Sequence, residues 1–189
     1  MNIKLDFSPI SFHSTKLAAA FGMQTPREVL ALRVLSYALP DAPVIVNIGA
    51  GTGTSSLAFA ESRTDAKIYT VDISEGGPFG GMQNEVNAFE GLGLQLPSQV
   101  LGDSIAVGTD WGREQADMVF IDGDHSYEGC LGDIEAWLPH LKKGGFLALH
   151  DYGRDVWPAV EQAVEFAQKK HKLILIFRID TLIAFRKGG

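Results

Sequence analysis

Asp122, His125, His150 and Asp151 are the residues whose types and spacing could do chemistry in this chain. Asp122 closes an apolar run at 116–121, and His150-Asp151 closes another at 146–149. If those runs are neighbouring strands, their ends lie about 4.8 Å apart. Two carboxylates that close repel each other, which favours a bound proton or a bound cation. Hard oxygen ligands suit magnesium, which keeps positions open for water and substrate oxygens. His125 follows Asp122 by three residues, at a loop–helix junction. An imidazole with an ordinary pKa near ~6.5 suits proton removal near neutrality.

His150 leaves several readings open. Imidazole is a poorer ligand for magnesium than for manganese, iron or zinc. Either the metal differs, or His150 is not a ligand, or the site is metal-free and His150 helps as a base. It can also be a satisfied buried histidine. Successive strand residues point to opposite faces, so His150 and Asp151 can serve one site only if the strand bends there.

A second constellation lies upstream. The apolar run 44–48 enters Gly49-Ala50-Gly51-Thr52-Gly53, and the next apolar run ends on Asp72. Glycines allow a tight turn and let a ligand approach the backbone. Asp72 stands where an acid accepts hydrogen bonds from ribose hydroxyls, and both NAD and S-adenosylmethionine (SAM) carry such a ribose. A dinucleotide fingerprint would place Gly or Ala at position 54, where this chain has Thr54. Asp103 closes a short run at 99–101, and it can also serve as a turn-forming residue.

These side chains need a scaffold. Apolar runs at 44–48, 67–72, 99–101, 116–121 and 146–149 alternate with helical patterns at 25–39, 54–62, 82–91, 126–138 and 155–170. Thr25 and Pro26 open the first helix, Ser126 opens the fourth, and Asp155 is expected to cap the last. Two further strands, 173–177 and 182–185, meet at a tight turn over 178–181. Alternation means a doubly wound, mostly parallel sheet with helices on both faces. The closing pair adds an antiparallel hairpin at one edge. The expected fold is therefore α/β and Rossmann-like, with seven strands. Residues 1–189 form one unit: an N-terminal helical segment, 1–40, and a core, 41–189. In such sheets ligands bind at the carboxyl ends of the strands, where Asp72, Asp103, Asp122 and Asp151 all fall.

The chain has 189 residues and a formal net charge of −7. That balance speaks against general nucleic-acid binding, which needs a basic face. One cysteine, Cys130, excludes an internal disulfide and a multi-cysteine metal site. No apolar run approaches the roughly 20 residues of a membrane span, and no signal-peptide pattern opens the chain. The expectations are a cytoplasmic setting, no membrane and no nucleic acid.

The run Asn47-Ile48-Gly49-Ala50-Gly51-Thr52-Gly53, with Asp72 and Gly102-Asp103-Ser104, resembles the class I SAM-dependent methyltransferases. The run from Phe120 to Glu128 (Phe-Ile-Asp-Gly-Asp-His-Ser-Tyr-Glu), then Asp133-Ile134, Leu141-Lys142-Lys143-Gly144-Gly145 and His150-Asp151-Tyr152, is similar to one branch of them. That branch holds metal-dependent small-molecule O-methyltransferases acting on macrolide sugars, their catechol-type relatives, and a cephalosporin hydroxylase-like group. The resemblance spans residues 25–186.

It implies that Gly49, Gly51 and Gly53 face the methionine part of SAM. Asp72 then binds the ribose, Asp103 and Ser104 lie by the adenine, and Asp122 borders the cofactor. It implies a divalent metal, magnesium or manganese, on Asp122, His150 and Asp151, and His125 as general base. The metal would grip vicinal hydroxyls of a small acceptor and lower the pKa of one. Acceptor recognition would fall to residues 1–40, a glycine-rich loop at 75–84 and the loop after Asp151. Those segments are short, so either the acceptor is small and open to solvent or a second subunit of a homo-oligomer completes the pocket. The rival readings are an NAD-dependent oxidoreductase and a non-catalytic SAM-binding accessory protein.

Overall fold

The computed structural model describes residues 12–21, 23–76 and 80–188. The elements run α1 (His13–Phe21), α2 (Pro26–Tyr37), β1 (Val44–Ile48), α3 (Thr54–Ser62), β2 (Lys67–Asp72), α4 (Met82–Phe89) and β3 (Ser98–Leu101). They continue α5 (Ser104–Thr109), β4 (Ala116–Ile121), α6 (Tyr127–Trp137), a 3-10 turn (Leu138–His140), β5 (Leu141–Leu149), α7 (Pro158–His171), β6 (Ile174–Ile179) and β7 (Leu182–Arg186).

All seven strands form one sheet in the order β3-β2-β1-β4-β5-β7-β6. The pairs β1–β2, β1–β4, β2–β3 and β4–β5 are parallel. The closing hairpin occupies the sheet edge as expected. Within it β7 is the antiparallel strand, one place in from the edge, and β6 is the edge.

β1 and β4 are buried along their whole lengths, which explains their unbroken apolar sequences. Side chains alternate between two faces. Val44, Val46, Ile48, Val119, Ile121 and Leu147 pack with Ile134 and Trp137 of α6 and Ala163 and Val164 of α7. Ile45, Met118 and Phe120 pack on the other face with Leu32 of α2 and Leu57 and Phe59 of α3. Each fully buried large side chain contributes about 1.5–3 kcal/mol. The N-terminal helices are fastened through Glu61 of α3. It accepts from Arg33 of α2 at 3.0 Å and from the Ser14 hydroxyl of α1 at 2.6 Å.

Several boundaries differ from the sequence expectation by a few residues, β6 (Ile174–Ile179 rather than 173–177) among them, and two differ for a definite local reason. β5 begins at Leu141 rather than 146, because Gly144-Gly145 forms a bulge inside the strand instead of ending a turn before it. Ala116 pairs with Leu141 and Met118 with Phe146. The last helix starts at Pro158, so Asp155 lies outside it and does not cap it. A residue before proline is pushed out of the helical region, and Trp157 accordingly adopts φ −130°, ψ 54°.

Candidate active site

The strand ends are brought to one level by hydrogen bonds that continue past the strands. Gly102 N donates to Asp72 O at 2.9 Å, Gly49 N to Val71 O at 2.8 Å, Asp122 N to Ile48 O at 2.9 Å and His150 N to Ile121 O at 3.1 Å. Asp72, Gly49, Asp122 and His150 thus stand in a row along the carboxyl edge of the sheet. A cavity of about 1000 Å³ opens above that row, and Gly49, Asp72, Ser104, Asp122, His125 and Trp157 are among its walls.

At one end lies the glycine turn. Gly49 has φ +90°, and a Cβ there would run into the Asp122 carbonyl. Only glycine lets the turn sit against β4 in this way. Gly51 has open space where a Cβ would point, and Gly81 N donates to its carbonyl at 2.9 Å. Asn47 holds the turn from below: its Nδ2 donates to Gly49 O and to the Ser56 hydroxyl, both at 3.0 Å. The Ser56 hydroxyl in turn donates to Glu85, which also accepts from Thr70 at 2.7 Å and Gln99 at 2.9 Å. Asp72 accepts from Ala50 N and Ser74 N, each at 2.7 Å.

Asp103 borders the cavity and caps α5 by accepting from Ala106 N at 2.8 Å. Ser104 donates to the buried Asp133. Burial, with Asp103 and Asp124 nearby, pushes the Asp133 carboxyl up to about 6 against the pull of that hydrogen bond. Part of the glycine-rich loop, residues 77–79, lies outside the described residues; Gly76 and Gly80 line the cavity.

At the other end the chain bends as the chemistry requires. Asp151 adopts φ +59°, a left-handed conformation that costs a non-glycine residue roughly 1–2 kcal/mol. His150 and Asp151 therefore both reach the same place. His125 Nε2 donates to Asp151 Oδ2 at 2.7 Å and lies 4.0 Å from Asp122 Oδ1. The imidazole stacks on Trp157 with centroids 4.6 Å apart and planes 17° from parallel. Asp151 also accepts from Arg154 at 2.8 Å. Burial opposes its ionisation, but His125, His150 and Arg154 hold it well below the usual carboxylate range. The hydrogen bond to Asp151 raises the pKa of His125 above its ordinary value, against the opposing pull of burial.

His150 is buried at 5% exposure and faces carboxylates on both sides. Its Nδ1 lies 3.3 Å from Asp122 Oδ1 and 3.4 Å from Asp151 Oδ2; its Nε2 lies 3.3 Å from Glu28 Oε2 and from the Thr181 hydroxyl. Burial alone would lower its pKa, yet these acids, Asp122 foremost, push it up to about 12.

Glu28 was legible in the sequence only as an acid near a helix start. It completes a capping box with Thr25, and its other oxygen accepts from Thr181 N at 2.8 Å and the Thr181 hydroxyl at 2.7 Å. Burial opposes its charge, but these bonds and His150 lower its pKa to about 2. Gln24 is a further residue that sequence reasoning missed. It lines the cavity, is 6% exposed, and donates from Nε2 to Asp122 Oδ2 at 3.2 Å.

Asp122, His125 and Asp151 each offer a ligand atom, and these atoms lie within 4.8 Å of one another. Two carboxylates and an imidazole so close fit a divalent cation. His150 stands beside this trio rather than within it.

The chain belongs to the methyltransferase-domain family, whose model matches residues 46–152. Its fold is that of the class I SAM-dependent methyltransferases. It superposes on the O-methyltransferase NovP with a TM-score of 0.71 at 15% identity, covering 87% of this chain and 81% of that one. The match to TomG of Streptomyces achromogenes, an O-methyltransferase of tomaymycin synthesis solved with SAM, has a TM-score of 0.69 at 17% identity, over 93% and 88% of the chains. A segment of 49 residues is 39% identical to an uncharacterized protein of Acanthamoeba polyphaga mimivirus, spanning 25% of this chain and 22% of that protein. Among the described residues no helix is long and apolar enough to cross a membrane.

Proposed function

We propose that this protein transfers the methyl group of SAM to a hydroxyl of a small molecule. The carrying observation is the continuity of one cavity from the glycine turn and Asp72 to Asp122, His125 and Asp151. A nucleoside on the first end directs its sulfonium toward the second. Asp72 receives the ribose, Gly49 and Gly51 admit the methionine part, and Asp103 and Ser104 border the adenine. Gly53, against the sequence expectation, is not in the cavity wall but packs closely on Glu85 and Ala88 of α4. The O-methyltransferase neighbours support an oxygen acceptor.

His125 is the general base in this reading. Asp151 holds its Nε2–H, as an acid orients a histidine in other proton-transfer pairs, which leaves Nδ1 to take the hydroxyl proton. Trp157 fixes the ring plane by stacking. Methyl transfer then proceeds in line from sulfur to oxygen, and most of the acceleration comes from holding the two reactants together.

A divalent cation, magnesium or manganese, is the cofactor that Asp122 and Asp151 would hold, and it would lower the pKa of a bound hydroxyl. The compact trio of ligand atoms supports this assignment. His125 can serve as base or as third ligand, not as both through the same nitrogen. His150 in this reading is a brace between the two carboxylates rather than a ligand.

Calorimetric titration of chelator-treated protein with S-adenosylhomocysteine, with and without manganese, tests the reading. Micromolar binding is expected, together with transfer of label from methyl-labelled SAM to vicinal-diol acceptors. Absence of nucleoside binding under both conditions overturns it.

A further inference from the structure

Among the described residues, one buried side-chain nitrogen or oxygen has no hydrogen-bond partner: Oε1 of Gln24. The opposite end of the same carboxamide donates to Asp122 Oδ2. A buried polar atom without a partner costs about 1–3 kcal/mol. A methionine would fill the same volume without that cost, so fold stability does not account for an amide at this position. What the amide does accomplish is to hold one oxygen of Asp122 while Oδ1 is turned toward His150 and His125.

The carboxylate of Asp122 is thereby fixed from both sides. His150 reaches Oδ1 and is itself held by Glu28; Gln24 reaches Oδ2 and stands four residues before Glu28 in the same segment. Met23 and Gln24, just ahead of α2, are part of the cavity wall, although Gln24 lies 98 positions from Asp122.

We propose that Gln24 is a positioning residue for the cation-binding end of the site, orienting Asp122 for a divalent ion. The inference rests on the metal-assisted reading above and concerns a residue outside the ligand trio. Groups that orient a metal ligand typically matter ten- to a hundredfold in metal affinity.

The test uses the full chain, manganese alone as the probe, and Gln24→Met with Gln24→Leu as a second variant. Manganese affinity is read by calorimetry and by the electron paramagnetic resonance signal of the free ion; the thermal midpoint without metal and S-adenosylhomocysteine affinity are read in parallel. Both variants are expected to bind manganese ten to a hundred times more weakly, with an unchanged or raised midpoint and unchanged nucleoside affinity. Unchanged manganese affinity overturns the inference. A fall in affinity accompanied by a midpoint several degrees lower assigns Gln24 to the fold and overturns it too. Wild-type protein that binds the nucleoside but no manganese overturns it while leaving methyl transfer standing.

Discussion

His125 and Asp151 meet through a 2.7 Å hydrogen bond that depends on a left-handed residue: Asp151 turns back at φ +59° just after β5 ends. Without that turn, one of His150 and Asp151 would point away from the site. His125→Ala should therefore lower methyl transfer by roughly 10²–10⁴-fold, the range of a general base. Nucleoside affinity should be unchanged, since His125 is not at the glycine end. Steady-state rates with labelled SAM, set beside calorimetry, check both halves; a lost nucleoside affinity would place His125 elsewhere in the function.

Glu28→Ala removes the acid that caps α2, braces His150 and binds Thr181. Breaking a buried charged pair costs about 3–5 kcal/mol because the remaining charge has no partner. Chemical denaturation of the variant should show a loss of that order. Glu28→Gln, which keeps the shape and an acceptor, should lose less. Equal losses would contradict this and would mean that the charge on Glu28, rather than its shape or its place as an acceptor, carries the whole effect.

Asp133 supplies a pH dependence whose sign is fixed. Its folded pKa, about 6, lies above the ordinary 3.8. The protonated carboxyl therefore favours the fold; that contribution is full below about pH 4 and is lost as pH rises through about 6. Asp133→Asn should flatten the stability profile across this window and stabilise the protein at pH 7–8, by on the order of 2 kcal/mol. Denaturation midpoints at several pH values decide the matter, and a variant less stable than wild type at pH 8 would contradict it.

Gly49→Ala places a methyl against the Asp122 carbonyl at φ +90°. Nucleoside binding should fall by more than tenfold and the thermal midpoint should drop, since the turn must shift away from β4. Gly51→Ala makes the comparison sharper. Its added methyl meets nothing in the protein, so it strains only the backbone and intrudes only on a ligand. A large midpoint loss in Gly51→Ala would show that the backbone, rather than the ligand, needs that glycine.

Much of this architecture was legible in the sequence because buried parallel strands leave unbroken apolar runs. β1, β2 and β4 are found where those runs lie. α5 was not anticipated: Ile105, Val107 and Thr109 are poor helix formers, and the helix forms on the Asp103 cap. At the site, Asp122, His125 and Asp151 announced themselves by type and by their place after strands. Gln24 and Glu28 did not. Glu28 obeys a local capping rule that fully explains its presence, and its second set of partners, His150 and Thr181, comes from residues 122 and 153 positions away. No local pattern encodes such a contact.

That reach has a consequence for the order of assembly. Proteins are made from the amino end, and Thr181, the partner of the second Glu28 oxygen, leaves the ribosome after β1 to β6. β7, which pairs directly with β5, arrives after it. The glycine turn and its strands can be in place while the reacting end still lacks its last hydrogen-bond partner. A chain interrupted before Thr181 would carry the nucleoside half of the cavity beside an acid, Glu28, left without its threonine, and would lack the strand that pairs with β5.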